Sequence, residues 1–280
     1  MEILRTVSEL RQWSRRERSG GKSIGLVPTM GALHPGHASL IRAAANSCGR
    51  VAVSIFVNPT QFGPNEDFAR YPRTFDADCA LAEATGADAV FAPAVDELYP
   101  NGAATFVEVA GLSDRLDGQS RPGHFRGVAT VVAKLLIAAE PDRAFFGQKD
   151  AAQVAVIRRM VADLRLGTEI VVCPIVREDD GLAMSSRNIY LSPAERKQAL
   201  VLSRVLSRTE ALIASGERRA NALIEAARLT FAAEPAIRVD YIEVVNWATL
   251  EPVEIAVSGS LFAVAAWVGA TRLIDNAILP

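Results

Sequence analysis

Residues 27–40 read VPTMGALHPGHASL and set two of the chain's three histidines, His34 and His37, around the pair Pro35-Gly36. Apolar side chains recur at helical spacing after Pro35, so a helix is predicted to start there, where a missing N–H costs nothing. The bare N–H groups and dipole of its first turn favour an anion. Gly31 and Gly36 let a ligand approach the backbone. Taken alone, the same pattern also describes a capped helix with two exposed histidines. Zinc is disfavoured, because it needs three or four ligands and only His124 remains among the histidines.

Three more polar clusters each follow a predicted buried strand. FVNPTQF carries Asn58 and Gln61, amides able to fix the hydroxyls and carboxylate of a small polar substrate, or else a turn held by Pro59. FFGQKDAAQ carries Lys149, a point charge for phosphate, and Asp150, which can cap a helix or hold ribose hydroxyls. REDDGLAMSSRNIYLS carries Ser185, Ser186 and Arg187, two hydroxyls and a guanidinium suited to a polyphosphate, or else a solvated interdomain loop. Open α/β sheets bind ligands beyond the carboxyl ends of their strands, so four clusters on that edge imply one pocket. Together they suit a nucleoside triphosphate and a small polar partner. No Cys/His or Ser/His/Asp set stands where it suggests covalent catalysis.

The elements that must position these groups are legible as periodicity. SIGLVP, RVAVSIFVN, ADAVFAP, RAFFG and EIVVCPIV are near-continuous apolar runs, as in strands buried on both faces of a parallel sheet. Helical patterns lie between them, which predicts a doubly wound α/β domain. Beyond about Gly181 two helices, 192–216 and 219–234, precede two strands, VDYIEVVN and SLFAVAAWVG, predicting a smaller α+β domain. The boundary is placed between residues 176 and 177, giving domains 1–176 and 177–280. Gly20–Ser23 resembles the end of a phosphate-binding loop, but Arg16 stands where that loop needs glycine and no strand precedes it.

Composition removes other classes. With 280 residues, 50% hydrophobic and 22% charged, the chain has material for a large core. A formal charge of −2 offers no overall field for nucleic acid or an anionic membrane. Three scattered cysteines fit a reducing cytoplasm. The charged N-terminus reads as an amphipathic helix rather than a signal peptide, and no apolar run approaches a membrane span.

PTMGALHPGH, SIFVNPTQF, YPRT, RPGHFRGVATVVAKL, FFGQKD, DGLAMSSRNIYL and VAAWVGATRLIDN occur in one order along the chain. In that order they resemble the pantoate–β-alanine ligase family, within the wider HxGH nucleotidyltransferases. The resemblance implies a Rossmann-like catalytic domain with a small C-terminal lid domain, in a cytoplasmic homodimer. It implies that pantoate and β-alanine are joined with ATP and magnesium, through pantoyl adenylate, to pantothenate, AMP and pyrophosphate. Catalytic work would fall to His37, matched to a proton donor, and to His34, Lys149 and Arg187. ATP would be held by Met30, Gly31, Ala32, Leu33, His34, Pro35, Gly36 and His37, by Gly147, Gln148, Lys149 and Asp150, by Val176, and by Met184, Ser185, Ser186 and Arg187. Pantoate and β-alanine would meet Gln61, Gln153 and Asn58. Magnesium would bridge phosphates and keep its waters, so no protein ligand is assigned to it; Asp76 and Asp78 are the carboxylates considered. The segment 63–74 and the second domain are expected to close over the adenylate. Departures from the family pattern stand at Thr60, Gln148, Ala151 and Ala152. Rival readings are another nucleotidyltransferase, with the same histidine site, and a non-catalytic nucleotide-binding protein.

Overall fold

In the computed structural model six strands form one parallel sheet. They are β1 (Glu2–Leu4), β2 (Ile24–Thr29), β3 (Arg50–Ile55), β4 (Ala89–Phe91), β5 (Arg143–Gly147) and β6 (Glu169–Cys173), in the order β1-β4-β3-β2-β5-β6. The structure describes residues 1–64 and 66–280; Asn65, within the 63–74 segment, lies outside the described residues. Leu26, Val27, Ala52, Val53, Val90 and Phe145 are buried, which is why these strands read as unbroken apolar runs.

The chain winds outward from β2 in both directions, through β3 and β4 on one side and β5 and β6 on the other. The switch point of the sheet therefore lies between β2 and β5. Pairing makes it a crevice. β2 runs with β3 along its whole length, from Ile24 against Arg50 to Thr29 against Ile55. With β5 it pairs only at Gly25 and Leu26, opposite Arg143 and Ala144. Pro28, which has no N–H to give, falls beyond the end of that pairing.

Seven helices belong to this part of the described chain: α1 (Val7–Ser19), α2 (Pro35–Ser47), α3 (Phe75–Ala84), α4 (Val95–Leu98), α5 (Asp117–Ser120), α6 (His124–Ala139) and α7 (Ala151–Asp163). The N-terminus is a correction to the sequence reading. Glu2–Leu4 pairs with β4 as an edge strand, and the helix begins only at Val7, where Thr6 and Glu9 form a capping box.

The chain divides into two units, Met1–Gly147 with Val156–Pro174, and Gln148–Ala155 with Ile175–Pro280. This division differs from a single cut at 176/177 in assigning residues 148–155 to the second unit. That unit has its own core, in which Leu202, Val205 and Leu223 pack with Phe262 and Val264. Its helices are α8 (Pro193–Ala199), α9 (Val201–Ala214) and α10 (Ala220–Ala232). Its antiparallel strands are β7 (Ile237–Asn246), β8 (Ser260–Val268) and β9 (Thr271–Ile278). Two expectations are corrected here. The single helix expected over 192–216 breaks at Leu200, and β9 is a strand beyond the two expected. A two-residue turn at Gly269 (φ 56°) joins β8 to β9, whose polar Asp275 and Asn276 break the apolar pattern of a strand.

Candidate active site

The segment after β2 is shaped by backbone that few residues adopt. Gly31 and Ala32 are both left-handed, at φ 84° and 51°. For alanine that conformation costs roughly 1–2 kcal/mol. The compensation comes from Asp78 of α3. Its Oδ2 accepts the Ala32 N–H at 3.0 Å, and its Oδ1 accepts the Leu33 N–H at 2.8 Å and the Thr74 hydroxyl at 3.0 Å. The Thr29 hydroxyl accepts the Gly31 N–H at 3.2 Å. Asp78 is buried and employed by this loop, which removes it as a ready ligand for magnesium.

The loop delivers His34 as the N-cap of α2, with Pro35 at its first position. His34 Nδ1 accepts the Gly36 N–H at 3.1 Å, and His37 Nδ1 accepts the His34 N–H at 3.3 Å. The two half-buried rings lie 4.1 Å apart. Because Nδ1 accepts in both rings, each neutral imidazole carries its proton on Nε2. The capped-helix and anion-site readings of the sequence are thus compatible: the cap itself sets both rings as Nε2–H donors.

After β3, Asn58 opens a tight turn over Pro59–Gln61. Its Oδ1 accepts from the Thr60 N–H, the Thr60 hydroxyl and the Tyr99 hydroxyl, at 3.3, 2.9 and 2.9 Å. Its Nδ2 donates to Gln61 Oε1 at 2.9 Å and to the Gly127 carbonyl at 3.1 Å. Both amide protons of this buried side chain are therefore committed, so Asn58 orients Gln61 and has no donor left for a substrate. Gln61 Nε2 donates to Met30 Sδ at 3.2 Å, which brings Met30, Asn58 and Gln61 together.

Helix α6 clamps the same turn. A Cβ on Gly127 would lie 2.3 Å from the Thr60 carbonyl oxygen, so only glycine permits this approach. At the start of α6, Arg121 Nη1 faces His124 Nε2 at 3.0 Å, and His124 Nδ1 lies 2.8 Å from the Gln61 carbonyl. Arginine can only donate, so Nε2 accepts and the Nδ1–H donates to Gln61. Arg121 is itself held by Glu66, at 2.8 and 2.6 Å. Burial, and then the charge of Arg121, lower the His124 pKa to about 4, which keeps the ring neutral.

In the second unit, Gln148–Asp150 form a single turn leading into α7. Lys149 Nζ lies 3.4 Å from Asp150 Oδ1, and Gln153 is half-buried one turn into the helix. Ala151 and Ala152 are buried, and the Ala151 carbonyl accepts the Trp247 indole N–H at 3.0 Å. These two departures from the family pattern are packing positions. Gln148 turns its amide to Asn276 of β9, at 3.2 Å.

Val176 and Met184 are brought together by a small hairpin. The Met184 N–H donates to the Val176 carbonyl at 2.9 Å, and Arg177 bridges Ala183. Gly181 (φ 92°) makes the bend. Arg177 binds the buried Asp275 of β9 through two bonds, at 2.7 and 3.0 Å. Ser185 then caps a short turn, Ser186–Tyr190, accepting the Arg187 N–H at 3.2 Å. This turn sets Ser185, Ser186 and Arg187 in one bend.

The whole chain matches known proteins. The family model for pantoate-beta-alanine ligase matches residues 2–278. The chain belongs to this family. The curated pantothenate synthetase of Acidobacterium capsulatum is 64% identical over 283 residues, covering 99% of this chain and 94% of that protein. The pantothenate synthetase structure from Thermus thermophilus superposes with a TM-score of 0.95 at 46% identity, covering 100% and 99% of the two chains. The pantoate-beta-alanine ligase structure from Francisella tularensis, complexed with beta-gamma ATP and beta-alanine, gives 0.81 at 33% identity over 99% and 97%. The six-stranded parallel sheet with its smaller antiparallel companion is the fold expected of a pantoate–β-alanine ligase.

Several residues that hold these clusters in place had no such part in the sequence reading: Gly127, Asp275 and Asn276 carried no chemical signal, and Asp78 was weighed only as a carboxylate for magnesium. His124 and Arg121 stood inside the RPGHFRGV motif, and Asp275 and Asn276 inside RLIDN, but no spacing rule gave them a role.

Proposed function

We propose that this ligase condenses pantoate with β-alanine at the expense of ATP, giving pantothenate, AMP and pyrophosphate through pantoyl adenylate. The observation that carries the reading is the reciprocal histidine cap at the carboxyl end of β2, beside the crevice where β2 and β5 part. It fixes the orientation of both rings at a helix N-terminus, an arrangement that suits an incoming anion.

The pantoate carboxylate attacks the α-phosphorus and pyrophosphate leaves. The β-alanine amine then attacks the acyl carbon, AMP leaves and the amine gives up its proton. The first step needs stabilisation of charge growing on the phosphates, which dipoles and cations fixed beforehand supply without reorganising. His34, His37, Lys149 and Arg187 do this work, with Ser185 and Ser186 donating hydrogen bonds. Residues 30–37, 147–150, Val176 and 184–187 hold ATP, while Gln61 and Gln153 hold pantoate. Asn58 acts by orienting Gln61. Magnesium bound to the triphosphate would supply charge neutralisation there, held by phosphate oxygens and its own retained waters.

The enzyme works in the cytoplasm as a homodimer, and the domain 177–280 acts as a lid. No helix among the described residues is long and apolar enough to cross a membrane. Ordering on addition of ATP and pantoate is expected as slowed hydrogen exchange in residues 63–74 and in the second unit. The deciding experiment is incubation with ATP, Mg²⁺ and pantoate, with and without β-alanine. Pantothenate and AMP should form together only when all are present. AMP without β-alanine-dependent pantothenate would overturn the reading.

A further inference from the structure

Strand β9 carries Asn276, a buried amide far in sequence from anything with a chemical role. Its Nδ2 donates to the carbonyls of both Gln148, at 3.0 Å, and Lys149, at 2.9 Å. Its Oδ1 accepts from Gln148 Nε2 at 3.2 Å. Reversing the amide would set Oδ1 against two carbonyl oxygens, so chemistry allows one orientation. Gln148 completes the arrangement, and a glutamate at that position could not repeat it: a carboxylate has no proton to donate to Oδ1.

The Trp247 indole N–H fixes a further carbonyl, that of Ala151. The backbone from 148 to 151 is thereby tied at three carbonyls by the side chains of Asn276 and Trp247. Lys149 sits in the middle of this tied stretch with its half-buried ammonium beyond it. A long flexible side chain is a precise charge only if its root is immobile.

We propose that Asn276 is a positioning residue for nucleotide binding: it holds the Gln148–Lys149 backbone so that the Lys149 ammonium meets the phosphates of ATP. This rests on the ligase reading of Lys149. Asn276 itself touches no substrate.

The test compares Asn276→Ala and Asn276→Ser with wild type, alone and combined with Lys149→Ala. ATP affinity is measured by titration calorimetry, steady-state KM for ATP and for pantoate, and backbone order by hydrogen exchange of residues 148–152. Each single Asn276 variant should weaken ATP roughly tenfold, leave the pantoate KM within about twofold, and speed exchange in 148–152. In the Lys149→Ala background the same substitutions should add little, since the charge they misplace is gone. Additive losses, an unchanged ATP affinity in a folded variant, or collapse of both variants as unfolded chains would overturn the proposal. If Lys149→Ala kept full ATP affinity and turnover, the reading of Lys149 would fall instead. Loss in Lys149→Ala with none in the Asn276 variants would remove only the role of Asn276.

Discussion

His34 and His37 make one cap between them: the His34 ring accepts a backbone N–H of the first turn of α2, and the His37 ring accepts the N–H of His34. The shared use of Nδ1 bears on what His37 does. A proton transferred through His37 must leave or arrive at Nε2 while Nδ1 goes on accepting. A hydrogen bond donated from Nε2 needs no such exchange.

His37→Ala should therefore lose roughly 10²-fold or more in adenylation, the scale of removing a preorganised donor. His37→Gln, whose amide reaches a similar point with an N–H but relays no proton, should recover part of that loss. Pyrophosphate release in single turnovers measures both. Equal loss in the two variants would favour proton transfer.

Gly127→Ala should destabilise the protein although alanine is the better helix former by about 1 kcal/mol. The added Cβ meets the Thr60 carbonyl at 2.3 Å, and overpacking of this kind costs roughly 1–3 kcal/mol. The turn that yields carries Gln61, so the pantoate KM should rise along with the fall in Tm. Gln61→Ala should raise the pantoate KM with little change in Tm.

Asp78→Ala should unsettle the histidine loop. It leaves the Ala32 and Leu33 N–H groups without their acceptor and the left-handed Ala32 without compensation. Because these groups are only part-buried, a loss toward the lower end of roughly 1–3 kcal/mol is expected. Urea unfolding gives the stability, and ATP affinity should fall with it.

His124 makes stability depend on pH. Its native pKa of about 4 lies below the ordinary value of 6.5 that it regains on unfolding. Between those values the unfolded chain binds a proton that the native ring refuses. Stability is full above pH 6.5 and falls as pH drops toward 4, by up to about 3 kcal/mol at roughly 1.4 kcal/mol per pH unit. His124→Asn, whose amide N–H can still reach the Gln61 carbonyl, should flatten that slope in unfolding curves taken from pH 4.5 to 7. An unchanged slope would assign the effect to other groups.

The sheet was legible because strands buried on both faces leave unbroken apolar runs, and so were the clusters at their ends. What escaped was what depends on partners distant in sequence. Glu2–Leu4 is a strand only because β4 lies beside it. TRLIDNAI alternates poorly because Asp275 and Asn276 are buried polar residues in a strand, there for Arg177 and the Gln148–Lys149 backbone. Asn58 was legible as a polar residue in the right place. Its commitment to Gln61, Gly127, Thr60 and Tyr99 is a matter of geometry that spacing does not carry.

The tie between Asn276 and Lys149 spans 127 residues. On a ribosome adding 5–20 residues per second, roughly 6–25 s separate the two in synthesis. During that interval all six strands of the parallel sheet have been made, yet the lysine's backbone still waits for its anchor. A chain interrupted before β9 would lack Asn276 and leave the Gln148–Lys149 backbone without that tie. On the role proposed for Lys149, an unfinished copy should therefore bind ATP poorly.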